Sequence, residues 1–283
     1  MEFYILGDMG SGEVYQYQVS NALKSHISDK KTFVCGLGDN IYEEGCTCIN
    51  DKQFISKFEK PYEYISDKIK FYMCIGNHDY GTYTGKGNSI NQIKYVSEKE
   101  KIKQINYMIN ALNKSKSDWK IVYGHHTWRS IAGHGNADNI LENFLQKIYY
   151  SSPFDLYMCG HDHNKQIIEM KMKNNNILPL FVCGTGSKVY DDLNNFKNLD
   201  KNSKLKYYSN KLGYGYIKAN KKELKIIFLD ESNNKENTYY IKKNITYNIK
   251  MPGYRRKTAK KGRKSKSISK SRSQSRSKLG LPP

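Results

Sequence analysis

The sequence predicts an α/β protein, and three observations carry that prediction. Six short apolar runs rich in β-forming residues recur at 3–6, 33–35, 71–75, 120–123, 156–159 and 180–183. Helical patterns separate them. After Gly213 the texture changes to three successive strand-like runs joined by polar turns.

Each of the six runs has strand length, and most end at a glycine followed by polar residues. Residues 13–24 read as the first helix. Ser97 and Glu100 have the spacing of a capping box, and Ile102, Ile105, Ile109 and Leu112 then fall on one helical face. Asp138 is placed to cap a further helix that turns Leu141, Leu145 and Ile148 inward. The polar stretch 191–209 reads as loop. Runs at 214–219, 223–229 and 238–242 predict an antiparallel meander that closes the domain. From Pro252 onward almost no apolar residue remains, so the chain is predicted to be disordered there. The division is a folded domain over residues 1–248 and a basic tail over 249–283.

A chain of 283 residues can bury a large core without disulfides or a structural metal. The formal net charge is +20, and residues 252–283 hold twelve Lys or Arg with no Asp or Glu, leaving +8 for the rest. Clustered Lys and Arg over 255–278 fit sequence-independent contact with nucleic acid, because they displace counterions from phosphates. The six cysteines show no disulfide spacing, and Cys35, Cys74, Cys159 and Cys183 lie at or near the ends of predicted strands, where Cys acts as a small hydrophobe. Residues 1–6 hold no basic segment and no long apolar stretch, so no signal peptide is expected. No run reaches the length of a membrane span. These features predict a protein of the cytoplasm or nucleus, or of a virion if the source is viral, that does not engage membrane.

The residues just beyond the predicted strands carry the chemistry. Gly7-Asp8-Met9-Gly10, Gly38-Asp39-Asn40-Ile41-Tyr42, Gly76-Asn77-His78-Asp79, Gly124-His125-His126 and Gly160-His161-Asp162-His163 each succeed one run. Active sites of open α/β sheets form beyond the carboxyl ends of strands. Any one cluster has a plain explanation as a cap or turn. Five clusters of oxygen and imidazole donors after five strands point to a metal site. Carboxylates, imidazoles, an amide and a phenol, with no thiolate, suit iron, manganese or zinc. Two cations ~3.5–4 Å apart can clamp the attacking and leaving oxygens of an in-line displacement.

In order, these blocks resemble those of the metallophosphoesterase (calcineurin-like) superfamily, and Tyr42 in the second block resembles the purple acid phosphatase branch. Trp128-Arg129-Ser130-Ile131-Ala132-Gly133-His134-Gly135 adds a likeness to the small tartrate-resistant acid phosphatase type. The resemblance runs from about Phe3 to Lys242. It implies two packed mixed β-sheets flanked by helices, an αββα sandwich. It also implies that Asp8, Tyr42 and His163 hold Fe(III), that Asn77, His125 and His161 hold Fe(II), Zn(II) or Mn(II), and that Asp39 bridges the two. A metal-bound hydroxide would attack the phosphorus of a phosphate monoester, from a small molecule or a phosphoprotein. His78 would stabilise developing charge and His134 would protonate the leaving alcohol. His126 and Asp162 match no ligand role and read as supporting residues, and Asp79 as an orienting carboxylate.

The chain departs from that type in a shorter stretch between His78 and His125, where a polar segment over 81–87 feeds the helix and an outer strand is expected to be missing. Two other readings stay open. One is a phosphodiesterase or nuclease guided by the tail, against which Tyr42 argues. The other is a non-catalytic nucleic-acid- or virion-associated protein with a decayed enzyme domain, against which the full ligand set argues.

Overall fold

Strands in this chain sort their side chains by the period of two that a pleated backbone imposes. The computed structural model describes residues 1–27, 31–48, 50–81, 98–190 and 199–243. Its strands are β1 (Glu2–Leu6), β2 (Phe33–Gly36), β3 (Lys70–Met73), β4 (Ile121–Tyr123), β5 (Leu156–Cys159), β6 (Lys165–Lys171), β7 (Ile177–Cys183), β8 (Ser203–Ser209), β9 (Gly213–Ala219), β10 (Glu223–Asp230) and β11 (Lys235–Lys242). They form two mixed sheets, ordered β11-β10-β9-β1-β2-β3 and β4-β5-β7-β6-β8. β1, β2 and β3 run parallel, as do β4, β5 and β7, while β9, β10 and β11 form the expected antiparallel meander against β1.

Parallel neighbours require crossovers, and helices supply them. α1 (Val14–His26) joins β1 to β2, and a π-helical turn at Ile55–Glu59 runs into α2 (Lys60–Ser66) before β3. α3 (Glu98–Lys114) precedes β4, and α4 (Asn139–Ser151) joins β4 to β5. Asp138 caps α4, its Oδ1 accepting from the Leu141 amide at 2.8 Å.

Alternation then divides the core into three. Phe3 and Ile5 of β1 face the second sheet, where they meet Leu156, Met158, Phe181 and Cys183, with Phe228 of β10 joining from their own sheet. Tyr4 and Leu6 face outward against Val19 and Leu23 of α1 and Tyr62 and Ile65 of α2. On the far side, Val122, Tyr157, Leu180 and Val182 pack with Ile105 of α3 and Leu145, Ile148 and Tyr149 of α4. The result is the helix-sheet-sheet-helix sandwich. All six cysteines are free, and no helix among the described residues is long and apolar enough to cross a membrane.

Three expectations need correction and four lie outside the described residues. Ser203–Ser209, inside the stretch read as loop, is β8, paired antiparallel to β6. It is an edge strand whose Lys204 and Lys206 gave it the polarity of a loop. β3 ends at Met73, and Ile75 beyond it is 55% exposed. On α3 the buried face begins at Ile105; Ile102 is exposed, while Ile109 and Leu112 rest on the outer core. The Ser97 cap, the polar segment over 82–87, the 248/249 boundary and the tail lie outside the described residues.

A buried ion pair is among the polar contacts that tie the sheets together. Lys165 opens β6 with a side chain that is fully buried inside the sandwich. Its Nζ donates to the carbonyls of Leu212 (3.1 Å) and Leu229 (3.3 Å) and forms an ion pair with Glu236 of β11. Removing one partner of such a pair strands a buried charge. Lys165→Met is therefore expected to lower the unfolding free energy by about 3 kcal/mol in urea denaturation, and Lys165→Met/Glu236→Leu to recover most of that loss; equal losses in both variants would show that the pair itself is not the cause.

Candidate metal centre

The two sheets pack so that the carboxyl ends of β1, β2 and β3 lie on the same rim as those of β4 and β5, and the five ligand-bearing clusters meet there. Asp8, Asp39 and His161 each adopt a positive φ (56°, 52° and 71°), which is uncommon outside glycine and turns the chain sharply as it leaves the sheet. Neighbouring glycines leave room for the carboxylates. A Cβ on Gly160 would lie 2.2 Å from Asp8 Oδ2, and one on Gly76 would lie 2.1 Å from Asp39 Oδ1.

Two groups of donor atoms result. In the first, the Tyr42 hydroxyl lies 3.1 Å from both Asp8 Oδ1 and His163 Nε2, and His163 Nε2 is 3.4 Å from Asp8 Oδ1. In the second, His125 Nε2 lies 3.0 Å from Asn77 Oδ1, 3.1 Å from His161 Nδ1 and 3.3 Å from Asp39 Oδ2. Asp8, Asp39 and His125 offer atoms within 4.8 Å of one another, so the groups adjoin. Asp8, Asp39, Tyr42, His125 and His163 are all buried.

This donor set suits cations better than protons. His125 Nδ1 faces the Leu37 carbonyl at 2.9 Å, which fixes the proton there and leaves Nε2 as a lone pair in the neutral ring. That lone pair points at an amide oxygen, a carboxylate oxygen and another imidazole nitrogen. Burial opposes charge on Asp39, yet the hydrogen bond and positive charge of His125 hold its carboxyl below the usual range. Burial lowers His125 while the Asp39 contact raises it more, up to about 9, so without a cation the ring carries a second proton on Nε2 that a cation would displace. Burial and the carboxylates of Asp8 and Asp39 push the Tyr42 phenol far up, so it becomes a phenolate only when a cation displaces its proton. Burial and the neighbouring imidazoles push His161 far down, leaving its lone pair available. The residues fit two cations, with Asp39 beside both donor groups.

The other sequence-predicted residues border these groups. His78 donates its backbone amide to Asp39 Oδ1 at 2.9 Å, holds Nδ1 2.7 Å from the Glu43 carbonyl, and places Nε2 4.0 Å from Asp39 Oδ2. His134 stacks on His161 with centroids 4.0 Å apart, and its amide donates to Asp162 Oδ1 at 3.0 Å. The His134 loop is fastened to β6: Gln166 Nε2 donates to Ser130 Oγ and Asn164 Oδ1, and Gln166 Oε1 accepts from Ile131 N. Asp79 accepts from the amides of Asn40, Ile41 and Gly76, fixing the Asp39 turn against the Asn77 turn. His126 is exposed, its ring 4.5 Å from that of His161.

Sequence reasoning missed Gln166, Ser187, Lys188 and Tyr190. Ser187 Oγ donates to the Asp8 carbonyl at 2.7 Å and Tyr190 stacks on His163 at 4.5 Å. These residues come after β5 and β7 at distances that bear no local motif.

Known proteins resemble the chain along most of its length. Purple acid phosphatase 4 of Arabidopsis thaliana is 25% identical, the alignment covering 83% of this chain and 81% of that protein. Human tartrate-resistant acid phosphatase type 5 is 23% identical over 71% of this chain and 76% of its own length. Among solved structures, GAP50, described as the anchor in the inner membrane complex of Plasmodium, superposes with a TM-score of 0.70 at 17% identity, covering 86% of this chain and 88% of that one. PhoD superposes with a TM-score of 0.57 at 10% identity, covering 86% and 68%. These two show a shared fold. Residues 1–165 match the family described as calcineurin-like phosphoesterase, and the chain belongs to that family.

Proposed function

We propose that the protein is a binuclear-metal phosphomonoesterase of the acid phosphatase type. The observation that carries this reading is the pair of adjoining donor groups, one of which contains the buried Tyr42 phenol. Asp8, Tyr42 and His163 would hold Fe(III), Asn77, His125 and His161 would hold Fe(II), Zn(II) or Mn(II), and Asp39 would serve both. Bound there, the cations supply Lewis acidity at phosphorus and make water more acidic.

The chain's own residues account for orientation and proton movement. His78, anchored through its amide to Asp39 and through Nδ1–H to the Glu43 carbonyl, presents Nε2 toward the cleft, where the doubly protonated ring can donate to a phosphoryl oxygen as charge develops. A bond forms from water oxygen to phosphorus and the ester P–O bond breaks. His134 delivers its proton to the departing alkoxide, a task suited to an imidazole. Asp162 and the Gln166–Ser130 contact keep that loop in place. The twelve basic residues after Pro252 support a second reading, in which the tail brings a nucleic acid diester to the same site.

Assays with p-nitrophenyl phosphate and bis-p-nitrophenyl phosphate separate the readings: the monoester is expected to turn over faster, and dominant diester cleavage would overturn the first. Asp39→Asn or His161→Ala is expected to reduce bound metal together with kcat/KM, the latter by at least about a hundredfold; full activity in a metal-poor variant would contradict the ligand roles. His134→Ala should keep its metal and slow poor leaving groups by about a hundredfold while p-nitrophenolate release changes far less; loss of metal in that variant would refute its role. Truncation after Met251 should leave p-nitrophenyl phosphate turnover within about twofold, since small substrates make no use of polyanion contacts.

A further inference from the structure

The loop after β7 sets a cation at the rim of the donor groups. Gly186 donates to the Gly7 carbonyl at 3.0 Å, Ser187 Oγ to the Asp8 carbonyl at 2.7 Å, and Tyr190 N to the His163 carbonyl at 3.2 Å. Three anchors in five residues fix the course of the loop beside Asp8 and His163. Between them, Lys188 carries its Nζ 4.0 Å from the centroid of the Tyr42 ring, with the side chain 23% exposed. The same Nζ donates to Glu43 Oε1 at 2.7 Å.

A lysine has no role as a metal ligand in this set, and the proton steps assigned above do not use it. Its position still matters to substrate. A phosphate held between the Tyr42 group and the His125 group would lie within one further anionic group's reach of Lys188. Glu43 is a displaceable partner: its carboxylate side chain is 63% exposed, and an exposed ion pair of this kind contributes little. Glu43 Oε2 also lies 3.5 Å from His78 Nδ1, but the shorter contact to that nitrogen, at 2.7 Å, comes from the Glu43 backbone carbonyl, which stays in place when the carboxylate leaves Lys188.

Resting on the phosphatase reading, we propose that Lys188 is a specificity-determining residue that binds a second anionic group adjoining the scissile phosphate, exchanging Glu43 for it. Substrates whose leaving side bears a neighbouring phosphate or carboxylate gain a charge-assisted contact in the partly buried rim. Alkyl or aryl phosphates with no second anionic group leave the Lys188–Glu43 pair intact.

The test uses the full chain loaded with zinc and two non-hydrolysable probes, methylphosphonate and methylenediphosphonate, in isothermal titration calorimetry. The quantity read is the ratio of their affinities. Lys188→Met is expected to lower the preference for the diphosphonate about tenfold, Lys188→Arg to keep it within about twofold, and Glu43→Gln to raise it. An unchanged ratio in Lys188→Met overturns the proposal. Should that variant lose its zinc, Glu43→Gln decides: a raised ratio supports the exchange and an unchanged one refutes it. Turnover of p-nitrophenyl phosphate by the wild type is recorded separately, so that an inactive but discriminating protein would sink the phosphatase reading while leaving the role of Lys188 standing.

Discussion

The structure depends on one electrostatic constraint: carboxylate, amide, phenol and imidazole groups are crowded to 3.0–3.4 Å in a buried cleft, where protons or cations must balance their charge. Such a cluster is costly unless positive charge enters it, because a buried polar atom without a partner forfeits its hydration. The surroundings hold the crowd together. The Leu37 carbonyl fixes the tautomer of His125, Ser187 braces the backbone of Asp8, and Asp79 binds the amides of the two turns that carry Asp39 and Asn77.

The sandwich makes that crowding possible. Parallel strands of both sheets end on a common rim, so residues far apart in sequence arrive together: Asp8 receives the His161 amide at 2.9 Å, 153 residues later in the chain. The core between the sheets, centred on Ile5, Met158, Phe181 and Phe228, sets the spacing of the two rims. The buried Lys165–Glu236 pair couples the strand that begins just after His163 to the far edge strand of the other sheet. Stability of the sandwich and geometry of the centre are therefore linked through β6.

Most strands and the donor clusters were legible in the sequence for a common reason, β6 and β8 being the exceptions. Each is local: an apolar run, a glycine, then one to three donors, as in Gly76-Asn77-His78-Asp79. Asp138 was legible as a cap on the same grounds. The features that sequence reasoning misassigned depend on contacts with distant chain. β8 is polar because it lies at a sheet edge, and its pairing partner β6 lies more than thirty residues earlier. Ile102 satisfies the helical period, yet only the turns from Ile105 onward meet the core. Lys188 and Glu43 are 145 residues apart, so nothing near either one announces the pair. The shortened segment before α3 and the basic tail were legible as composition, and both lie outside the described residues.

X-ray absorption spectroscopy on the purified, zinc-reconstituted full chain tests the account most directly, combined with a count of zinc per chain. Two ions per chain, bound by oxygen and nitrogen donors without sulfur and showing a metal–metal vector of about 3.5–4 Å, are the predicted result. A single ion per chain, or two ions with no mutual vector, would contradict the claim that these seven side chains build one shared centre.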